Sequence, residues 1–381
     1  MAASYGFLST HPPTQCGLAT FNSALSAQLT AGGRPGGIVR VISAGEDERA
    51  GPGVVHTWSP RSGTGWQDAA EALNAFDVAI VQHEYGIYPG TDGSAVLPLL
   101  RALDRPAIVV LHTVLAQPTA GQRATLEEVV TAAGAVVTMT ETARDRLLIG
   151  YAVDPAKVTV IPHGAGDHTG ATTTARTRPH LLTWGLIGPG KGIEWALRAL
   201  ARLRDLSPSP TYTVAGKTHP KVLEQHGETY RTSLQGLGTL LGITDAVRYE
   251  PVYRDEAALS RLIRSADVVV LPYDSREQVT SGVLIEAVAA GVPVVATPFP
   301  HAIELLTDGP GLLVPHQDPA AMATAIRRIL TEPGLSGSLA GRTGPLAPTL
   351  LWPAVAARYA ALAAGLRTAN RPVLATPPVP A

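Results

Sequence analysis

The stretch that decides the fold runs Ala266-Asp267-Val268-Val269-Val270-Leu271-Pro272, crosses a polar loop to Ser281-Gly282-Val283-Leu284-Ile285-Glu286-Ala287, and closes on Ala290-Gly291-Val292-Pro293-Val294-Val295-Ala296-Thr297. Val268 to Leu271 and Val292 to Ala296 are apolar on consecutive positions, as strands buried on both faces require. A helix beginning near Thr280 or Ser281 joins them, so the segment is a parallel strand, crossover helix and parallel strand.

The same grammar extends outward. In the second half it gives strands Leu181 to Trp184, Tyr212 to Ala215 and Leu312 to Val314, with a helix over Ile193 to Leu206. Ile193, Leu197, Leu200 and Leu203 recur at spacings of three and four, one buried stripe. In the first half, strands Ile38 to Ile42, Val78 to Val81, Ile108 to Leu111, Val136 to Thr138 and Val158 to Ile161 alternate with helices Leu18 to Leu29, Gly93 to Leu103, Gln122 to Ala133 and Glu141 to Leu148. The prediction is α/β, two Rossmann-like domains with doubly wound parallel sheets. Ala165 to Thr177 holds almost no bulky apolar residue and marks the boundary: a first domain 1–165, a linker and hinge 166–178, and a second domain 179–345. Leu350 to Leu366 predicts an apolar-rich helix within 346–367, and the proline-rich 368–381 a flexible tail.

Composition narrows the function. The 381 residues suit two domains, possibly three, and 45% hydrophobic with 16% charged residues exclude a disordered tail or a coiled coil. Thirty basic and 31 acidic side chains leave a net charge of −1, too little for the footprint of nucleic acid or for peripheral contact with an anionic membrane. The single cysteine, Cys16, allows neither an intrachain disulfide nor a multi-cysteine zinc site. Met1 to Pro13 lacks the pattern of a secretory leader, and no apolar run approaches the roughly 18 residues of a spanning helix. The expectation is a soluble, cytoplasmic protein.

Ligands of open parallel sheets gather at the carboxyl ends of the strands. Three loops there are candidates. Gly6 to Thr20 leads through His11-Pro12-Pro13-Thr14-Gln15-Cys16-Gly17 into a helix; Gly17 lets backbone approach a phosphate or sugar, or Thr14 and Gly17 merely shape the turn. Gly185-Leu186-Ile187-Gly188-Pro189-Gly190-Lys191-Gly192 offers open amides and one cation, suited to a diphosphate. Its spacing matches a P-loop up to Lys191, but Gly192 stands where a magnesium-binding hydroxyl is needed. The third loop, Pro272 to Ser281, leads to Glu286, a carboxylate among apolar neighbours that suits two adjacent ribose hydroxyls and repels phosphate. His83 and His112 end two buried strands, as orienting donors or packed side chains. No Asp-any-Asp triplet is present, and no metal site is expected.

Over about residues 1 to 365 the sequence resembles the retaining glycosyltransferases of family 4, of GT-B fold. The run from Ala266 to Thr297 carries most of the likeness. Gly188 to Gly192, Gln82-His83-Glu84-Tyr85-Gly86 and Val160-Ile161-Pro162-His163-Gly164 add to it. The resemblance implies two facing domains, the first for the acceptor and the second for a nucleotide sugar, with the late helix crossing back to the first. It implies that Glu286 binds the donor ribose, Lys191 and Gly190 the diphosphate, and Ser281 with the amides of Gly282, Val283 and Leu284 the diphosphate or sugar. Gly17 is then to lie beneath the same group, and His112 to touch the transferred sugar.

Two departures stand out. The family's first acid, eight residues before Glu286, is Gln278, which carries no charge yet can bind sugar hydroxyls. The basic residue often found shortly before Lys191 is absent, leaving Arg276 on the other loop as its substitute. The implied activity is a metal-independent retaining hexosyltransferase without a cofactor, using GDP-mannose or a UDP-sugar and a saccharide or small-molecule hydroxyl, by front-side substitution. A nucleotide-sugar epimerase and a non-catalytic nucleotide-sugar-binding protein are the alternatives.

Overall fold

The β-branched runs become the central strands of two all-parallel sheets in the computed structural model, which describes residues 3–43, 45–46, 48, 51–59, 65–172 and 176–369. The first sheet comprises β1 (Tyr5–Ser9), β2 (Gly36–Val41), β3 (Val54–Trp58), β4 (Val78–His83), β5 (Ala107–Leu111), β6 (Ala135–Thr138) and β7 (Val158–Val160), in the order β3-β2-β1-β4-β5-β6-β7. The second comprises β8 (His180–Trp184), β9 (Thr211–Ala215), β10 (Val247–Glu250), β11 (Val268–Leu271), β12 (Val294–Ala296) and β13 (Gly311–Leu313), in the order β10-β9-β8-β11-β12-β13. β4, β5, β8 and β11 are buried along their whole length because helices cover both faces.

The described residues fall into two units. One holds the residues through Met139, Arg144–Ile161 and those from Ala356 onward; the other holds Thr140–Ala143 and Pro162–Val355. The segment expected as a linker, 166–178, is therefore part of the second unit as far as it is described. Ala165 lies just before it in the same unit, its amide donating to Leu350 O at 2.7 Å and its carbonyl accepting from Trp352 N at 3.0 Å. His168 is buried. At Gly166 a Cβ would lie 3.2 Å from Glu256 Oε1, so the start of the segment runs close to its neighbours.

The stripe Ile193, Leu197, Leu200 and Leu203 is buried in the core of the second unit, though its helix, Ile193–Ala201, ends earlier than the periodicity predicts. The late helix is interrupted: Ala347–Leu350, then Leu351 extended (φ −66°, ψ 143°), then Trp352–Ala369. Pro353 falls in the first turn of the last helix, where no backbone amide is required. From Ala356 onward this helix belongs to the first unit, where Tyr359 and Ala363 are buried and Arg358 Nη2 donates to Val160 O at 2.6 Å. Of the expected tail 368–381, residues from 370 lie outside those described. Among the described residues no helix is long and apolar enough to cross a membrane.

Candidate functional site

In each sheet the strand order reverses once, between β1 and β4 and between β8 and β11. Beyond the carboxyl ends of such a pair the following loops diverge and leave a crevice for ligand. In the second unit these are the loop from Gly185 to Gly192 and the loop from Pro272 to Ser281.

The glycines hold the two loops against each other. Gly192 has φ +63°, and a Cβ there would sit 1.8 Å from Pro272 O; at Gly216, φ +132°, a Cβ would sit 1.8 Å from Gly185 O. Both demand glycine sterically and conformationally. Gly190 O accepts the Asp274 amide at 3.0 Å, and Trp195 Nε1 donates to Asp274 Oδ1 at 3.0 Å. Lys191 is thereby carried over Tyr273, its Nζ 4.3 Å from the ring centroid. Tyr273 is itself stacked on Phe299 (5.2 Å, 27°), and its carbonyl accepts from Thr297 Oγ1 at 2.6 Å. The cation is held by a ring face, worth about 0.5–2 kcal/mol, and by no carboxylate of the described residues.

Ser281 caps the helix Gly282–Ala289. Its Oγ accepts the Leu284 amide at 3.3 Å, and its own amide donates to His301 Nδ1 at 2.8 Å. His301 can accept because burial, and then the nearby His163, push its pKa down to about 3, leaving the ring neutral. The cap corrects the expected amide set: Leu284 N is occupied, while Gly282 N and Val283 N bond no described residue. His163 approaches the same turn; a Cβ on Gly282 would lie 2.9 Å from its Nε2.

One turn on, the Glu286 carboxylate is 20% exposed. Its Oε2 accepts from His168 Nε2 at 2.6 Å and from Gly166 N at 3.2 Å, whereas Oε1 accepts from no described residue. His168 Nδ1 meets Ser260 Oγ at 2.8 Å. His168 was not singled out from the sequence; its signal, a histidine in a glycine-rich run, is hidden by the run's resemblance to a linker.

Gln278 is half-buried and donates from Nε2 to Thr280 O at 3.0 Å. Arg276 is exposed, with no hydrogen bond or ion pair to any described residue. Gly190, Lys191, Arg276, Gln278, Ser281, Gly282, Val283 and Glu286 thus belong to the loops and helix around one switch point.

Gly17 and His112 belong to the first unit. Gly17 opens the helix Gly17–Leu29 next to its cap, Cys16, with open space where a Cβ would be. His112 Nε2 pairs with Gln82 Oε1 at 2.8 Å, and its ring meets Phe21 edge-on at 4.9 Å. Polar side chains concentrate at the carboxyl ends of this sheet. Ser9 pairs in register with Arg40, and Gln82 follows the Leu8–Val81 pair. Ser9 Oγ, Gln82 Nε2 and both ring nitrogens of His83 are buried without a hydrogen-bond partner among the described residues. Desolvation holds His83 down at about 4. No group of three or more His, Cys, Asp or Glu able to hold a metal occurs among the described residues.

A pocket of about 280 Å³ lined by Arg178, Leu203, Arg204, Ser209 and Asp245 lies elsewhere, at the amino ends of β8 and β9. Arg178 there donates to Ser209 O at 2.8 Å and braces the turn. The pocket is at the wrong end of the strands for the chemistry of the glycine-rich loop.

Family models match both halves: "Glycosyltransferase Family 4" over residues 26–166 and "Glycosyl transferases group 1" over 178–332. The D-inositol 3-phosphate glycosyltransferase of Actinosynnema mirum is 33% identical over 233 residues, 56% of this chain and 53% of that protein. The one of Frankia alni is 28% identical over 375 residues, 88% of this chain and 86% of that protein. The chain spans about half the length of several such relatives, 51% for that of Salinispora arenicola. Among solved structures, Anabaena HepE with UDP and glucose superimposes with TM-score 0.74 at 16% identity, covering 95% of this chain and all of that one. The sucrose-phosphate synthase of Thermosynechococcus elongatus gives 0.76 at 20%, covering 97% of this chain and all of that one. With two Rossmann-like sheets and both halves matched by models of one group, the chain belongs to the family 4 glycosyltransferases of GT-B fold.

Proposed function

We propose that the protein is a retaining, metal-independent hexosyltransferase that moves a hexose from a nucleotide diphosphate sugar to an acceptor hydroxyl and forms an α-glycosidic bond. The observation that carries the reading is the second unit's switch point, where Lys191 on one loop and Glu286 on the helix after the other belong to diverging elements.

The sugar's anomeric carbon loses its bond to the diphosphate while the acceptor oxygen bonds to the same face. The acceptor proton passes to the departing phosphate oxygen, and the configuration is retained. Charge grows on the diphosphate as that bond breaks, and fixed donors stabilise it without reorganising. Lys191 Nζ and the open amides of Gly282 and Val283 supply those donors, and Glu286 Oε1 accepts from the ribose. Arg276, exposed on the loop from Pro272 to Ser281, adds a second cation. Gln278, neutral, binds sugar hydroxyls and forms no covalent intermediate. The first unit receives the acceptor.

The relatives' name makes a phosphorylated polyol the first acceptor to test, and the UDP of the HepE crystals makes UDP-sugars the first donors, followed by GDP-mannose. Incubation of the protein with each labelled donor, with and without acceptor, is the test. Transfer that requires the acceptor and gives an α-linked product supports the reading. A β-linked product from an α-linked donor, or conversion of donor alone into its epimer, overturns it.

A further inference from the structure

We infer that His168 is a positioning residue for nucleotide recognition, fixing the Glu286 carboxylate so that one oxygen is held by the protein and the other faces the vicinal diol of the ribose. This rests on the proposed donor site and adds a residue from outside the two loops that define it.

The chemistry follows from the bonds. An ionised carboxylate only accepts, so His168 Nε2 must be the donor to Glu286 Oε2 across the 2.6 Å contact. Its other ring nitrogen, Nδ1, lies 2.8 Å from the Ser260 hydroxyl, which can either donate or accept, so the ring is held at both ends. The imidazole is 3% exposed, so its orientation is set by packing as well as by these two bonds. Ser260 comes from the helix Glu256–Arg264, His168 from the loop after β7 and Glu286 from the helix after β11, so a chain of two hydrogen bonds ties three separate elements together. The Gly166 amide, 3.2 Å from the same Oε2, completes the grip. All the hydrogen bonds that the carboxylate accepts from described residues fall on Oε2. Turning the carboxylate strains both of them, which restrains Oε1 before the nucleotide arrives.

A side chain that merely supports the fold would weaken all nucleotides alike; one that aims Glu286 acts only where a ribose hydroxyl is present. Titration calorimetry with UDP, GDP and their 2′-deoxy forms separates these. The intact protein is expected to prefer the ribonucleotide by about tenfold, the range of a hydrogen bond to a charged acceptor. His168→Ala should reduce that preference to about twofold while changing the affinity for the deoxy form little. His168→Gln, which retains a donor near the Nε2 position, should restore most of the preference, and Ser260→Ala should give an intermediate value. Thermal midpoints confirm that each variant is folded, and Ser260→Ala and His168→Gln carry the test if His168→Ala is not. If Glu286→Gln abolishes the preference but the His168 and Ser260 variants keep it, the inference is wrong and the donor site stands. If the intact protein binds neither ribonucleotide, the donor site itself is wrong and the inference falls with it.

Discussion

Lys191 holds its ammonium over the Tyr273 ring and pairs with no carboxylate among the described residues, so its charge is placed without a counter-charge from them. Replacing it with Ala should lower the transfer rate about 10²–10³-fold, the usual cost of losing one fixed donor to a developing anion. The thermal midpoint should move little, because the side chain is only half-buried. Steady-state kinetics beside a melting curve checks both. Gln278 gives a second prediction at this scale. Its Nε2 donates to Thr280 O, a bond that a carboxylate cannot make. Gln278→Glu should therefore cost about 1 kcal/mol, read as a melting point lower by a few degrees, with no gain in transfer rate; a faster enzyme would restore the family's acid to a catalytic role. The candidates of the second unit were legible in the sequence because they stand in loops after buried runs or in the helix that follows. His168 was not: what marks it is a contact with Glu286, 118 positions away, which no local pattern encodes.

Strands buried on both faces announce themselves by continuous apolar runs, and β4, β5, β8 and β11 were visible for that reason. The edge strands β3 and β10 were not, since Val54–Trp58 and Val247–Glu250 are only partly buried and carry polar residues. Loops obey a different constraint, the space around a Cα. Gly192→Ala forces a Cβ to within 1.8 Å of Pro272 O at a positive φ, so the two ligand loops must separate. The expected outcome is a clearly lower melting point together with loss of nucleotide binding. Gly17→Ala meets open space, has no positive φ and sits in a helix's first turn, so its stability should stay within about 0.5 kcal/mol. A loss of transfer in that variant, at unchanged stability, would place the acceptor or sugar against this helix start. Calorimetric melting and nucleotide titration on the pair distinguish the two kinds of glycine.

For the molecule as a whole, buried histidines set the response to acid. Desolvation first, then neighbouring charges in some of them, pushes His11, His83 and His180 down to about 4 and His301 to about 3. In the unfolded chain these rings titrate near 6.5, so between about pH 6.5 and pH 4 the unfolded state binds protons that the folded state refuses. Stability is therefore complete above about pH 6.5 and falls as pH drops, by up to about 1.4 kcal/mol per pH unit for each histidine, until the folded rings also protonate. Urea midpoints should decline from about pH 7 to pH 5, a window above the ordinary carboxylate range, and His180→Gln should lessen the slope. A constant midpoint over that interval would show that these rings titrate in the folded protein as they do in the unfolded chain. Two domains were evident from repetition of one strand-and-helix grammar.

The parallel bridge between Ala165 and Leu351 has a practical corollary. The polypeptide arrives in the second unit and departs from it through adjacent, mutually bonded segments, so residues 162–355 form a nearly self-contained insert with its two ends side by side. Ends so placed suit excision of the segment as a cassette, joined by a short peptide or opened elsewhere by circular permutation, with only Thr140–Ala143 of that unit left behind.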